Sequence, residues 1–305
     1  MLKKLEDHDY RSILSFLELD EPMNMPMIGD FNRHGLHSGF QDMWIQVNEA
    51  GEWHTLIRRY FEHYTVFSPK KFWNDTMHQS MFIDNESSRF NNQHKMKKAL
   101  EDLEDEIEEL GWFIRLSNPV TLSGCYDFVK KIAGFLPDMK EIESQQMLLF
   151  SDIQLIPTEV ILAKESEGLI IAIAVEKDTD EIGNLMFATE AFRHNYESPE
   201  EISKGIRTRL KKGGVRHFVL KKGDEIVAHA NTTAETERFA LISGVTTKEA
   251  HQRKGYSGML VSALSAQLLA QGKQPCLFCK SPEAAFLYRK LGFIETDKYI
   301  TLTRL

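Results

Sequence analysis

In the second half of the chain, apolar residues form short continuous runs that alternate with helical stripes. The run over residues 169–175 is β-branched and nearly continuous, which predicts a buried strand. Residues 178–188 and 198–211 predict helices, and Ser198 before a proline predicts a capped start for the second one. Strands are further predicted over 215–220, 225–232, 238–245, 275–279 and 293–303, and helices over 282–290 and up to Gln271. The turn 221–224 predicts a hairpin, so this half is predicted to be a mixed α/β domain.

The first half shows the same mixture with weaker patterns. Helices are predicted over 9–19, 95–110 and 126–135, and strands over 43–47, 53–59, 64–67, 113–116 and 147–150. The helix 95–110 has apolar residues at spacings of four and three and ends at Gly111. The polar segment 74–94 predicts a surface excursion. Loop-like composition over 151–168 predicts one domain at 1–165 and another at 166–305, since 305 residues exceed one compact core.

Composition and charge narrow the classes of partner. A net charge of −8 gives no electrostatic reason to expect nucleic acid or an anionic membrane. The sequence has no apolar run near the roughly 20 residues that span a bilayer, and its first residues lack an apolar signal core. Three cysteines argue against a disulfide framework. We therefore expect a cytoplasmic protein, without a membrane or nucleic-acid partner.

Two patterns of metal-ligand type predict packing instead of metal. Cys276 and Cys279 lie in a short apolar run that predicts a buried strand, on which residues three apart point to opposite faces. His34 and His37 come without a third ligand, and the alternating methionines at 23–27 favour packing. The sequence predicts no metal site.

The chemistry is concentrated in a glycine-containing loop that leads from a predicted strand into a long apolar helix. The loop runs from Gln252 to Gly258, and Gly255 allows a close approach of backbone to a ligand. A loop of this kind exposes backbone N–H groups at a helix start, where the helix dipole favours an anion. Arg253 and Lys254 add positive charge. The arrangement predicts a phosphate site.

Two motifs resemble those of the GCN5-related N-acetyltransferases (GNAT). The segment Gln252-x-x-Gly255-x-Ser257 is similar to that family's pyrophosphate loop, Q/R-x-x-G-x-G/A, with serine at the last small position. Residues 281–293 are similar to N-x-x-A-x-x-x-Y-x-x-x-G-F, with Tyr288 in place and Ser281 where the family has asparagine. The resemblance covers 168–305. The order of elements in 1–165 resembles a degenerate copy without the loop, so we expect two tandem GNAT-like domains.

The resemblance implies a mixed-sheet α/β acyltransferase fold that binds acetyl-CoA as acyl donor and co-substrate. In this fold the strand that carries Ser243, Gly244 and Val245 splays from its neighbour, and its free backbone groups pair with pantetheine. The resemblance also implies that Tyr288 protonates the leaving thiolate and that the backbone N–H of Val245 stabilises the oxyanion. The implied cofactor-binding residues are Ser243, Gly244, Val245, Gln252, Arg253, Lys254, Gly255, Tyr256, Ser257, Gly258, Ser281, Phe286 and Tyr288.

The sequence does not identify the general base or the acceptor substrate. Glu235, Glu237, His229 or a water relay could accept the amine proton, and Glu237 is taken as the candidate. The acceptor implied is a primary amine of a small molecule, amino acid or peptide, and the protein is expected to be a monomer or homodimer. The alternative is a module that binds acyl-CoA without catalysis.

Overall fold

The computed structural model describes residues 1–36, 39–48, 51–72, 86–193 and 196–304, with the backbone alone at 71, 86–100 and 191. The chain divides into two compact units. One comprises Met1–Ser144 with Asp297–Leu305, and the other comprises Gln145–Thr296. This division precedes the predicted boundary near residue 165, because residues 145–149 pair and pack within the second unit.

The first unit consists of helices and one set of paired strands. Its strands are β1 (Leu2–Lys4), β2 (Gln41–Val47), β3 (Trp53–Tyr60), β4 (His63–Phe67) and β5 (Thr121–Cys125). Its helices are α1 (Tyr10–Leu17), α2 (Glu21–His34), α3 (Glu86–Leu116) and α4 (Tyr126–Ile132). Strands β1 to β4 pair antiparallel in sequence order, β4 pairs parallel with β5, and β5 pairs antiparallel with residues 299–303. The core lies between α1, α2 and the strands β2 and β3.

The helix α3 corrects the prediction around Gly111. It continues to Leu116, so the strand predicted at 113–116 is wrong. Ile114 is buried like Leu110, which extends the apolar stripe by one turn. Gly111 does not end the helix: a Cβ there would lie 2.3 Å from the Phe135 ring, so glycine permits this close packing. Although α3 is long, neither it nor any other helix in the described ranges is apolar enough to cross a bilayer.

The remaining expectations for the first half are largely confirmed. The strands predicted at 43–47, 53–59 and 64–67 and the helices at 9–19 and 126–135 are present, with α1 ending before Pro22. The methionines at 23–27 are buried, on α2. Residues 86–94 of the predicted surface excursion begin α3, and its residues 74–85 lie outside the described chain.

The second unit has a mixed sheet between helices. Its strands, in chain order, are the second half of β6 (Met139–Leu149), then β7 (Leu169–Ile173), β8 (His217–Lys222), β9 (Glu225–Glu235), β10 (Phe239–Thr247), β11 (Gln274–Cys279) and the start of β12 (Phe293–Arg304). Its helices are α5 (Thr158–Ala163), α6 (Thr179–Ala188), α7 (Glu190–Arg193), α8 (Pro199–Lys212), α9 (Tyr256–Ala270) and α10 (Pro282–Lys290). The strand order is β6-β11-β10-β9-β8-β7, in which β10 and β11 are parallel and the other pairs antiparallel. One core packs α9 and α10 on the sheet, and a second packs α6 and α8.

The predicted elements of this half are confirmed, with one correction. β7 is not a buried strand: the side chains of Ile170 and Ile173 are 50% and 58% exposed. β7 pairs with β8 at the end of the strand order, so among the described residues it lacks the second neighbour that the continuous apolar run predicts. Ser198 caps α8 by accepting from the Glu201 amide, as predicted.

Candidate functional site

The parallel strands β10 and β11 separate partway along their length. Their pairing runs from Phe239–Gln274 to Leu241–Cys276. Beyond these pairs β10 continues to Thr247 and β11 to Cys279. The predicted splay is therefore present, and beyond Leu241 the backbone of β10 is not paired with β11.

A β-bulge interrupts β10 where it has left β11. Ser243 pairs with Asn231 and Thr246 with His229, so two residues of β10, Gly244 and Val245, stand opposite one residue of β9. Gly244 has φ +60°, and a Cβ on it would lie 2.0 Å from Asn231 Oδ1. Both the backbone conformation and the lack of space require glycine here.

A buried pair of histidines supports the bulge. His229 Nδ1 donates to the Gly244 carbonyl over 2.9 Å, and His217 Nδ1 lies 3.0 Å from His229 Nε2. Both side chains are fully buried. Burial, with the positive charge of Arg209, lowers the pKa of His229 to about 4. Burial, His229 and Arg209 lower the pKa of His217 to about 3, so both rings are neutral at pH 7.

The predicted phosphate loop lies between β10 and α9. Arg253 (φ +62°) and Gly255 (φ +81°) are both left-handed, and Arg253 is one of few non-glycine residues with positive φ. No side chain caps α9, whereas Ser198 and Ser281 cap α8 and α10. The first intrahelical bond of α9 joins the Met259 amide to the Gly255 carbonyl. The preceding amides of the first turn therefore have no acceptor within the helix.

Side-chain bonds hold this loop against the end of β10. Ser257 Oγ lies 2.7 Å from Thr247 Oγ1, and Gln252 Nε2 donates to the Thr247 carbonyl over 3.4 Å. Arg253 and Lys254 are exposed, and a Cβ at Gly255 would meet nothing within 4 Å. The loop thus presents exposed backbone and cationic side chains from one fixed position.

Of the predicted site residues in the second motif, Tyr288 lies inside the unit, whereas Ser281 and Phe286 lie at its surface. Tyr288 is buried on α10, and burial, followed by the neighbouring Cys279, raises the pKa of its hydroxyl well above the ordinary value. Cys279 ends the diverging part of β11, so Tyr288 lies beside the splay. Ser281 Oγ accepts from the Ala284 amide as the α10 cap, and Phe286 is exposed under Lys290 Nζ.

Two carboxylates considered as general bases lie at the opposite end of β10. Glu237 is exposed in the turn before Phe239, and the strand from there to Val245 spans about 20 Å. Burial opposes ionisation of Glu235, but hydrogen bonds from Arg216, Thr232 and Lys273 outweigh it and hold its pKa below the ordinary range. The geometry does not bring either group to the bulge.

Cys276 and Cys279 are both buried, as the strand prediction implies. Within the described ranges no three His, Cys, Asp or Glu side chains are grouped to hold a metal ion. His37, the second member of the His34 pair, lies outside the described residues.

A cleft of about 1170 Å³ opens beside the loop. Its wall combines α6 and the start of α7 with residues 247–252. Glu181, Glu190 and Glu249 contribute carboxylates, while Lys248 pairs with Glu225. Thr189 Oγ1 lies 2.5 Å from Thr246 Oγ1 and joins this wall to the bulge. The cleft is therefore acidic and adjoins the end of β10.

The corresponding parallel pair of the first unit has no splay. β4 and β5 pair from His63–Thr121 to Val66–Gly124, one residue short of the end of each strand. A Cβ at Gly124 would lie 2.5 Å from the Val66 carbonyl oxygen, so the two strands are tightly apposed. Among the described residues this pair leaves no room for a ligand between its strands.

The sequence did not single out His217, Asn231, Thr189 or Thr246 as site residues. A signal existed for part of this set, because His229 and Asn231 are two apart on a predicted strand and so share a face. Their link to His217 and Gly244 depends on the register of β8, β9 and β10, which the sequence pattern does not specify.

Comparison with known proteins agrees with this architecture. Residues 218–302 match the family model for FR47-like protein. An acetyltransferase from the GNAT family from Colwellia psychrerythraea is 8% identical, with a TM-score of 0.59 and 100% of each chain covered. A tandem GNAT protein from the clavulanic acid biosynthesis pathway is 11% identical, with a TM-score of 0.58, over 99% of this chain and 97% of that one. No curated protein sequence matches the chain significantly.

A third structure, a GCN5-related N-acetyltransferase-like protein from Streptococcus suis 89/1591, is 12% identical with a TM-score of 0.53 over 98% of this chain and 99% of that one. The chain therefore has the GNAT fold, and the resemblance inferred from the two motifs is confirmed.

Proposed function

We propose that the second unit is an N-acetyltransferase that moves an acetyl group from acetyl-CoA to a primary amine. The observation that carries the proposal is the coincidence, at one end of β10, of the splay, the bulge and the uncapped start of α9. The pyrophosphate would lie on the α9 amides beside Arg253 and Lys254. Pantetheine would extend along the diverging part of β10 towards Tyr288.

The transfer is direct. The amine nitrogen attacks the thioester carbonyl carbon, a C–N bond forms, and the negative oxygen of the tetrahedral intermediate accepts a hydrogen bond from the Val245 N–H. The C–S bond then breaks, and the Tyr288 hydroxyl gives its proton to the thiolate. The ordinary pKa of a tyrosine, about 10, already keeps that proton in place at pH 7, and burial raises the pKa of Tyr288 further, which makes its hydroxyl a weaker acid. An ammonium acceptor loses one proton to solvent before its nitrogen attacks and a second after the C–N bond forms, and Tyr288 is reprotonated from solvent.

The acidic cleft favours a cationic acceptor. Glu181, Glu190 and Glu249 attract an ammonium group and raise its local concentration. Glu181 also accepts from the Ile226 amide, which fixes one of the three on the cleft wall. Small amines, amino acids and peptide N-termini all present such a group.

Two measurements test this function. Calorimetric titration with acetyl-CoA should show binding, and a panel of amines should release free CoA thiol. Binding without thiol release from any amine would favour the alternative, a module that binds acyl-CoA without catalysis. Absence of binding would refute both.

The placement of the cofactor is tested by Gly255→Glu. The new carboxylate would enter the phosphate site and repel the pyrophosphate, so acetyl-CoA affinity should be lost. Gly213→Glu is the matched control, because Gly213 also has positive φ (+73°) and open space around it, but it follows α8. Equal affinity in the two variants would refute the placement.

A further inference from the structure

The two buried histidines have a single arrangement of protons that satisfies their contacts. The Gly244 carbonyl can only accept, so His229 Nδ1 carries a proton. A neutral His229 then has a bare Nε2, which accepts from Nδ1–H of His217. His217 Nε2 is left without a proton, and it is buried with no hydrogen-bond partner among the described residues. The chain of donors therefore runs from His217 through His229 to Gly244.

This arrangement excludes His229 as the general base. Its Nδ1 carries the proton that it donates in the hydrogen bond to the Gly244 carbonyl, and its Nε2 accepts a hydrogen bond from His217. Neither nitrogen offers a lone pair to an amine. The histidine pair must act through the backbone that it contacts.

The peptide group that receives this hydrogen bond also contains the proposed oxyanion donor. The carbonyl of Gly244 and the N–H of Val245 belong to one planar trans peptide, in which they point in opposite directions. Since the carbonyl points towards the His229 ring, the Val245 N–H points away from that ring. At this point β10 has also separated from β11, so β11 does not pair with this peptide.

A hydrogen bond at the carbonyl polarises the whole peptide group and strengthens its N–H as a donor. The geometry points to His229, supported by His217, as a positioning residue that orients and polarises the Gly244–Val245 peptide for oxyanion binding. This inference rests on the acyl-transfer function proposed above. It gives His217 on β8 and His229 on β9 a role in the reaction, although neither side chain contacts the substrate.

The bulge leaves few other ways to hold that peptide. A bulge residue is left unpaired in the strand ladder, so its orientation depends on contacts outside the ladder. The space beside Gly244 is closed by Asn231 and by the His229 ring, 3.2 Å from the position of a Cβ. His229 therefore sets both the hydrogen bond and part of the steric limit.

The first test concerns the protons and needs no activity. The full-length protein with ¹⁵N-labelled histidine should show, at pH 7, a neutral His229 with a protonated Nδ1 and a bare Nε2. Signals are assigned by their loss in His229→Asn and His217→Asn. An imidazolium or a protonated Nε2 at His229 would overturn the inference.

The second test uses two substitutions of His229. The side-chain amide that His229→Asn introduces has its nitrogen near the position of Nδ1 and can donate to Gly244, whereas the side chain of His229→Leu cannot. We expect His229→Leu to lower kcat by about 10- to 100-fold, which is no more than the effect of removing a complete oxyanion donor. The KM for acetyl-CoA should change by less than about threefold. His229→Asn should recover most of that loss.

A spectroscopic readout separates polarisation from general damage. The ¹³C-labelled thioester carbonyl of bound acetyl-CoA should absorb at lower infrared frequency in wild type than in His229→Leu, because a stronger hydrogen bond weakens the C=O bond. If His229→Leu does not fold, His217→Leu replaces it in both measurements, with a smaller effect expected in the same direction. If the wild type is active but His229→Leu and His229→Asn have the same kcat and the same carbonyl frequency, the role of His229 is overturned. The proposed function would still stand. A wild type that fails to bind acetyl-CoA would instead refute the proposed function, and this inference with it.

Discussion

Tyr288 shows how one side chain combines packing with a chemical role. It projects from α10 into the core, with its ring 5.7 Å from that of Phe293. Its raised pKa is an effect of burial. A buried aromatic residue at a helix–sheet contact is ordinary, so its position alone does not distinguish a proton donor from a packing residue. The difference lies in the hydroxyl.

Tyr288→Phe should therefore lower kcat by about 10²–10⁴, the usual contribution of a general acid, and leave acetyl-CoA affinity nearly unchanged. Phenylalanine keeps the ring and removes only the donor. Steady-state kinetics and a direct binding measurement check both halves of the prediction. A loss below about threefold, with chemistry shown to be the slow step, would leave Tyr288 as a packing residue.

The two buried histidines predict a dependence of stability on pH. Their pKa values are lowered in the folded protein to about 4 and about 3, while the unfolded chain has ordinary histidines near 6.5. Below pH 6.5 the unfolded state binds more protons, so the free energy of unfolding should fall by a few kcal/mol between pH 6.5 and pH 4 and be nearly flat above pH 7.

Urea titrations at pH 7, 6 and 5 measure this fall. His229→Asn should reduce it, because one titrating group is removed, while other groups with shifted pKa values, such as His54 and Glu106, are common to both proteins. An identical pH dependence in the two proteins would contradict the buried neutral state of His229.

At the scale of elements, the site depends on where one strand stops pairing. β10 pairs with β11 over its first three residues and then carries a bulge. In the first unit, β4 and β5 stay paired almost to their ends. The strands β4 and β10 both enter a parallel pair, yet only β10 has the separation and the bulge that the proposed ligand needs.

Gly244→Ala tests the bulge. The alanine would keep a left-handed φ, which costs of order 1–3 kcal/mol, and its Cβ would also overlap Asn231 Oδ1. The free energy of unfolding from urea titration should fall by at least this amount, and kcat should fall because the Val245 N–H is displaced. Adding Asn231→Ala to this variant should restore the part of the free energy of unfolding that was lost through the overlap. No recovery in the double variant would show that the backbone conformation alone requires glycine.

Prediction from sequence succeeded for these elements where the signal was local. The loop at 252–258, the cap at Ser198 and the hairpin at 221–224 each depend on a few consecutive residues. It failed at β7 and at 113–116, where burial is decided by strand order and by the extension of a helix. Periodicity identifies an apolar face, but it does not tell how many neighbours will cover it.

At the scale of the whole molecule, the two compact units do not coincide with the halves of the sequence. Residues 145–149 belong to the second unit through their pairing with β11, and residues 297–305 belong to the first through β5. Met147 and Leu149 are fully buried in the core of the second unit, with Leu155 and Ile161 beside them.

Fragments starting at these two boundaries should therefore differ. The fragment 145–296 should fold and bind acetyl-CoA, whereas 166–296 lacks four buried apolar side chains of this core, each worth roughly 1.5–3 kcal/mol, and should have a lower urea midpoint. Residues 1–144 should not bind acetyl-CoA. Equal urea midpoints for the first two fragments would place the boundary near 165, as loop composition suggests.

The sequence by itself determined the class of fold, the position of the loop and the place of Tyr288, because each depends on residues that are close together along the chain. Only the tertiary structure decided that β10 leaves β11 after Leu241, that Gly244 is held by His229, and that Glu237 lies at the far end of the strand. These facts depend on which strands pair and in what register. A register shift of one residue would turn His229 to the opposite face of the sheet, and nothing in the local pattern fixes it.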